Sequence, residues 1–288
     1  MAHARHDAAD KEPTMCLLVL AWQHDPDYPL LLAANRDEFY QRPTRSGRWW
    51  PEFPQCWGGQ DLQAGGSWFV INRAGYWAAL TNVREGIGKA DNLRSRGELV
   101  TGYLRQLEMD TEHEDSRSPY SLSAFDYALQ VLEQGHHYAG FNLLLGSPDE
   151  VIYCSNRLPW PERLQPGLYT LSNARLHSHW PKTQQARQAM QHWLAAGRDL
   201  PSLPRLLSSR QQAPTAELPD TGISVEWEQR LSSCFIASPG YGTRSSLGLS
   251  CDQEGLISVR ECSFSPGGYA FQQTCESWHV RGRNGFAA

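Results

Sequence analysis

The sequence predicts an α+β fold in which two antiparallel sheets pack face to face and helices lie on their outer sides. Three observations lead there. Apolar runs of strand length come in pairs joined by short turns, two amphipathic helical stripes follow, and strands, a helix and more strands then complete the chain. The 288 residues hold no internal repeat and no long linker, so one domain is expected over 15–265, with a tail over 266–288.

The opening residues 1–14, MAHARHDAADKEPT, have no apolar run and no periodicity, and read as an extension ahead of the domain or an upstream start. MCLLVLAW (15–22) and LLLAAN (30–35) then flank the Pro/Asp turn HDPDYP and form a hairpin. In an antiparallel hairpin the start of the first strand lies level with the end of the second. Cys16 is therefore expected beside the cluster Asn35-Arg36-Asp37-Glu38.

SWFVINRAGYWAALTN (67–82) is a second hairpin, turning at Arg73-Ala74-Gly75. Ser95-Arg96-Gly97-Glu98 has capping-box spacing and opens a helix with Leu99, Tyr103 and Leu107 on one face. A second helix is expected to open near Ser121, with Leu122, Phe125, Leu129 and Leu132 as its stripe and Gly135 as its stop. FNLLLG and VIYCSN flank the turn SPDE, and LYTLSN adds a strand. Pro181 opens a helix through TQQARQAMQHWLAAG. CFIAS, RSSLGLS and LISVREC return to strands, with Asp252-Gln253-Glu254-Gly255 as a turn.

Composition narrows the function classes. A formal net charge of -5 gives no electrostatic reason to expect nucleic acid or an anionic membrane as partner. No apolar run is long enough to span a bilayer, and residues 1–14 lack a secretory h-region. Seven Cys without a CxxC pair argue against a disulfide scaffold and a structural zinc site, which points to a soluble protein of the reducing cytoplasm. Eleven Trp fit packing between layers and are compatible with an apolar ligand cleft. No metal site is expected: His177-Ser178-His179 lacks a third ligand nearby, and His136-His137 follows a helix stop.

The chemistry turns on Cys16. A Cys in an apolar strand is most often inert core. If Met15 is the effective start and is removed, however, Cys16 carries a free α-amine beside its thiol. With an unperturbed pKa of about 7.7–8.0, that amine is partly neutral near physiological pH and accepts the thiol proton. Such a site needs a carboxylate to fix the amine, polar donors for an oxyanion and a cation. Asp37 suits the first need. Asn82 and Asn173 each end an apolar strand, where an amide can project into a cleft or simply serve a turn. Arg244, in SPGYGTRSSL, follows a Gly-rich turn into a strand, with no Walker lysine.

Several stretches together resemble the NRDE family: NRDEFYQRPT, GGQDLQAGGSWFVINRAGYWAALTNVRE, SRGELV, YAGFNLLLG, TLSNARLHSHWPK and YGTRSS, in order from Met15 to about Glu261. That resemblance implies a start at Met-Cys and the four-layer αββα sandwich of the N-terminal nucleophile hydrolases. More distantly the chain is similar to their cysteine branch of acylases and acid ceramidases. On that likeness Cys16 takes the nucleophile place and Asp37 the carboxylate place. Asn82 and Asn173 fall on the oxyanion strand ends, Arg244 falls on the late arginine, and Asn35, Arg36 and Glu38 are binding candidates. One departure stands out. The cysteine acylases carry Arg three residues before their site Asp, where this chain has Ala34, while Arg36 is expected on the opposite side of the strand from Asp37.

Three readings follow as expectations. The first is a cysteine-nucleophile hydrolase of non-peptide amides that needs no cofactor. The second, implied by the resemblance, is a carrier of haem, an acyl chain or acyl-CoA. A third is a scaffold whose cleft is vestigial.

Overall fold

The structure, a computed structural model, describes residues 15–85, 93–112 and 123–280. Its first hairpin follows from the apolar runs. β1 (Met15–Trp22) and β2 (Leu30–Phe39) pair antiparallel from Met15 opposite Asp37 and Cys16 opposite Arg36 to Trp22 opposite Leu30. Alternate residues go to opposite faces. Leu18, Leu20, Trp22, Leu30 and Leu32 enter one buried cluster; Leu17, Val19, Ala21, Leu31 and Ala33 enter another. Both faces of this sheet are thus covered, which is why these strands read as unbroken apolar runs.

Next come β3 (Thr44–Trp50), β4 (Phe53–Asp61), β5 (Phe69–Asn72) and β6 (Trp77–Asn82). β7 (Phe141–Gly146), β8 (Val151–Ser155), the two-residue β9 (Glu162–Arg163) and β10 (Gly167–Leu171) follow, and β11 (Tyr241–Cys251), β12 (Leu256–Ser265) and β13 (Tyr269–His279) close the chain. One sheet has the order β10-β1-β2-β11-β12-β13, the other β3-β4-β5-β6-β7-β8-β9. Between them Leu20, Leu32, Leu249 and Ile257 meet Trp57, Phe69, Trp77 and Leu144.

α1 (Gly97–Glu112) and α2 (Ala124–Glu133) cover the outer face of the seven-stranded sheet. α3 (Pro181–Ala195) covers the six-stranded one through Ala186 and Met190, and α4 (Val225–Arg230) is a short helix before β11. The layers run α, β, β, α, as expected. The packing role of Trp holds for Trp22, Trp57 and Trp77, each almost fully buried.

Five expectations are corrected. β3 and β4 had no alternating signal, because glycines interrupt them. A Cβ on Gly47 would stand 2.4 Å from the Trp57 ring and one on Gly59 2.2 Å from Trp68, so small residues here make room for indoles. Residues beyond 265 do not simply trail off: Tyr269–His279 is β13, an edge strand whose exposed, polar side chains hid it. CFIAS forms only the isolated bridge Ala237–Gly242.

The Glu98 carboxylate accepts from the Tyr138 hydroxyl at 2.7 Å and pairs with Arg94 at 2.6 Å. The capping box with both of its bonds in place belongs instead to α2, between Ser123 and Asp126. The buried stripe of α2 is Ala124, Tyr127, Ala128 and Val131, with Phe125 and Leu132 at its margin; Leu122 lies outside the described residues.

Candidate active site

Cys16 sits at the end of β1, where the apolar faces give way to charge. Because it stands opposite Arg36, and Leu18 and Ala34 continue the same face toward the core between the sheets, the thiol and the Arg36 side chain share that inner face. Asn35 and Asp37 belong to the outer face, where α3 packs. Arg36 and Asp37 are therefore on opposite sides of β2, as expected. The consequence is that Arg36 itself supplies a cation on the thiol's side.

Each of the four residues Asn35 to Glu38 is buried. Arg36 lies 3.6 Å from Glu38, donates to Thr44 Oγ1 at 3.1 Å and lies over the Trp68 ring at 4.3 Å. Glu38 is shared with Arg42 at 3.6 Å. Asn35, expected as a binding residue, is held by three hydrogen bonds of its own. Its amide donates to the Leu207 and Cys234 carbonyls at 2.9 and 2.8 Å and accepts from Ser246 at 2.6 Å, which fastens the outer layer to the sheet.

With Cys16 still joined to Met15, burial pushes its thiol up to about 12; Asp37 and Glu38 add to the rise, while Arg36 and the Asp37 backbone N–H oppose it. Asp37 Oδ1 accepts from Thr243 at 2.6 Å, and Oδ2 has no hydrogen-bond partner. Burial raises the Asp37 carboxyl, and Lys182 and Thr243 pull it back.

Asn173 ends the segment after β10 and is fully buried. Its amide donates to the Asn82 carbonyl at 2.8 Å. The Ser172 hydroxyl contacts both the Cys16 carbonyl, at 2.9 Å, and Asn173 Oδ1, at 3.0 Å. Cys16, Asn82 and Asn173 are thus brought together through backbone and hydroxyl. A buried network holds this end shut. Thr81 donates to the Ser172 carbonyl at 2.6 Å, Asn142 to the Ala174 carbonyl at 2.9 Å, and the Tyr153 hydroxyl to Asn142 Oδ1 at 2.8 Å.

Arg244 occupies the bulge between Thr243 and Ser245 and donates to the Phe39 and Arg42 carbonyls at 2.8 and 3.1 Å. Its guanidinium closes the end of β2, with Arg36 and Glu38 as electrostatic neighbours.

Three residues escaped sequence reasoning. Arg96, just ahead of α1, donates to the Gly140 carbonyl at 3.0 Å. Burial lowers it to about 10, while Cys16 and Glu38 hold it up. Arg84 forms a buried ion pair with Glu228 and lies over the Trp180 ring at 4.5 Å. Lys182, on the first turn of α3, is buried without a hydrogen-bond partner. A signal existed for Lys182: a cation opposes the dipole in a helix's first turn. Among the described residues no three His, Cys, Asp or Glu gather as metal ligands.

A family model described as Transport and Golgi organisation 2 matches residues 15–266. The chain is similar to the Transport and Golgi organization protein 2 homologs of Bos taurus, 33% identical over 272 residues, and Homo sapiens, 34% over 276, each covering 86% of this chain and 93% of the relative. The Drosophila melanogaster protein is 30% identical over 256 residues, covering 80% and 86%. Among solved structures, the Caenorhabditis elegans ortholog of N-acylethanolamine-hydrolyzing acid amidase shares 13% identity with a TM-score of 0.37, over 81% of this chain and 92% of that one.

Proposed function

The chain belongs to the Transport and Golgi organisation 2 family, and on the geometry around Cys16 we propose that it is a cysteine-nucleophile hydrolase of non-peptide amides, active once Cys16 is its first residue. One observation carries this reading. The Cys16 thiol shares its face with Arg36 and has Arg96 as an electrostatic neighbour, and Ser172 joins the Cys16 carbonyl to Asn173, yet burial leaves the thiol pushed up to about 12. Such a thiol lacks only a base. A freed α-amine supplies one on the same residue, near the buried Asp37 carboxylate.

The thiolate would add to the amide carbonyl, and the amine would leave with the proton taken from sulfur. Water would then open the thioester, releasing the acid and restoring the thiol. Asn82 and Asn173 are the candidates to face the oxyanion. The site asks for no metal or cofactor in this scheme.

A haem carrier is the second reading. The residues do not fit a porphyrin well: Asp37, Glu38, Arg36 and Arg96 are charged neighbours of the thiol, and Arg36 already lies over the Trp68 indole. Seven free cysteines favour a cytoplasmic location. No helix among the described residues is long and apolar enough to cross a membrane.

Intact mass and labelling with a cysteine-directed acylating probe test the proposal. The expected result is protein beginning at Cys16 and labelled there. Active protein that retains residues 1–15 would sink it, and a saturable Soret shift lost in Cys16→Ala would favour haem instead.

A further inference from the structure

Lys182 is in a costly position three times over. It is 2% exposed, its ammonium has no hydrogen-bond partner, and it sits in the first turn of α3, after Pro181, where the helix dipole is positive. A lysine with no task would place its head in water.

Its direction is fixed by the helix. Lys182, Ala186 and Met190 are four residues apart and form one stripe. Ala186 and Met190 pack on Leu17, Val19, Leu31 and Ala33, the outer face of β1 and β2. Continuing that face along β2 from Ala33 leads through Asn35 to Asp37. Asn35 is saturated by Leu207, Cys234 and Ser246. Asp37 is not: its Oδ2 is buried and lacks a partner. Lys182 and Asp37, two buried groups of opposite charge, each with a polar atom that lacks a hydrogen-bond partner, thus belong to the same outer face of the sheet without an ion pair between them.

We propose that Lys182 is a positioning residue: its ammonium keeps Asp37 ionised, leaving Oδ2 free to hold the α-amine of Cys16. The inference rests on the amide hydrolase reading for its purpose, though not for its physics. Arg84 is the cation beside Lys182: both lie over the Trp180 ring, at 4.5 and 5.9 Å, and Glu228 pairs with Arg84. The remaining groups around the pair are Cys16, Arg36, Glu38, Tyr241 and Cys234; of these only Arg36 is cationic, and it is on the other face of β2, next to Glu38. Burial and the Arg84 charge pull Lys182 down toward neutrality while Asp37 pulls it up, and Lys182 in turn opposes the rise that burial imposes on Asp37.

The test compares wild type, Lys182→Met and Lys182→Arg, each expressed from Met15 and confirmed by mass to begin at Cys16. Carbon-13 NMR of aspartate carboxyls, with Asp37→Asn to assign the signal, reads the Asp37 titration directly. In parallel, iodoacetamide alkylation of Cys16 is followed against pH. In Lys182→Met the Asp37 midpoint should rise by a full pH unit or more, the acidic limb of Cys16 reactivity should move up with it, and Lys182→Arg should recover most of both. An Asp37 midpoint unchanged in Lys182→Met overturns the proposal, whatever the alkylation does. Cys16 that resists alkylation in wild type while the Asp37 midpoint shifts as expected would discard the hydrolase reading and keep the pairing. A variant that fails to fold is judged by Lys182→Arg, whose midpoint must then match wild type.

Discussion

Cys16 and Arg36 stand directly opposite one another on β1 and β2, so their side chains rise from the same face of the sheet. Two residues earlier on β2, Ala34 stands opposite Leu18 and brings no charge to that face. The thiol thus has a guanidinium on its own strand pair, with a second, Arg96, approaching from the start of α1.

Removing the first of these cations has two readouts. Arg36→Ala leaves Glu38 buried with Arg42 as its remaining cation, at 3.6 Å. Breaking a buried pair from one side costs about 3 kcal/mol. Urea unfolding should show that loss, and Cys16 alkylation should slow further because the thiol rises. An Arg36→Ala protein as stable and as reactive as wild type would remove Arg36 from this account.

While Cys16 remains peptide-linked, burial holds its thiol at about 12, against the 9.0 of an ordinary Cys. That difference leaves a thiolate fraction about a thousandfold smaller at neutral pH. Cys275 is exposed and serves as an internal standard. In protein that keeps residues ahead of Cys16, iodoacetamide at pH 8 should label Cys275 at least about tenfold faster than Cys16. Peptide mapping by mass spectrometry measures both.

Glu261 gives a pH prediction away from the reacting group. It accepts from the Gly47 N–H at 2.7 Å, and burial raises its carboxyl to about 7 from 4.5. A carboxyl raised on folding favours the folded state in its protonated form. Its contribution is full below about 4.5 and is lost as pH climbs through 7. Wild-type stability should therefore fall between pH 5 and 8 by something on the order of 3 kcal/mol from this group. Glu261→Gln, which can still accept from Gly47, should flatten that slope; parallel slopes in denaturant titrations of the two proteins would contradict it.

The hydroxyl of Tyr153 joins Asn142 to the Leu176 N–H, at 2.8 and 3.2 Å. Tyr153→Phe leaves both of those buried groups unpaired, at a cost of about 1–3 kcal/mol. Thermal unfolding should fall accordingly, and Cys16 labelling in trimmed protein should weaken, because the segment that carries Ser172 and Asn173 loosens. A Tm within a degree of wild type would show that water takes over the hydroxyl's role.

Legibility in the sequence followed local physics. The β1–β2 hairpin was readable because both of its faces are apolar until the charged end, and the turn at Gly75 because its φ of +85° suits glycine. β3 and β4 were not, since their glycines answer to indoles that are distant in the chain's local pattern. β13 was hidden by its exposure. Among site residues, Cys16 and Asp37 could be placed by hairpin register alone. Arg96 could not, because a basic residue at a helix start reads as solvated until tertiary packing covers it, and for Lys182 the unfavourable dipole marked an oddity without saying what covers it.

Thr81 and Asn142 stitch the seven-stranded sheet to the Ser172 and Ala174 carbonyls, and at the far end the Trp278 indole ties the sheets again through the Arg73 carbonyl at 3.1 Å. A molecule bound beside Cys16 would therefore meet a wall fixed by directional bonds and not by apolar contact alone.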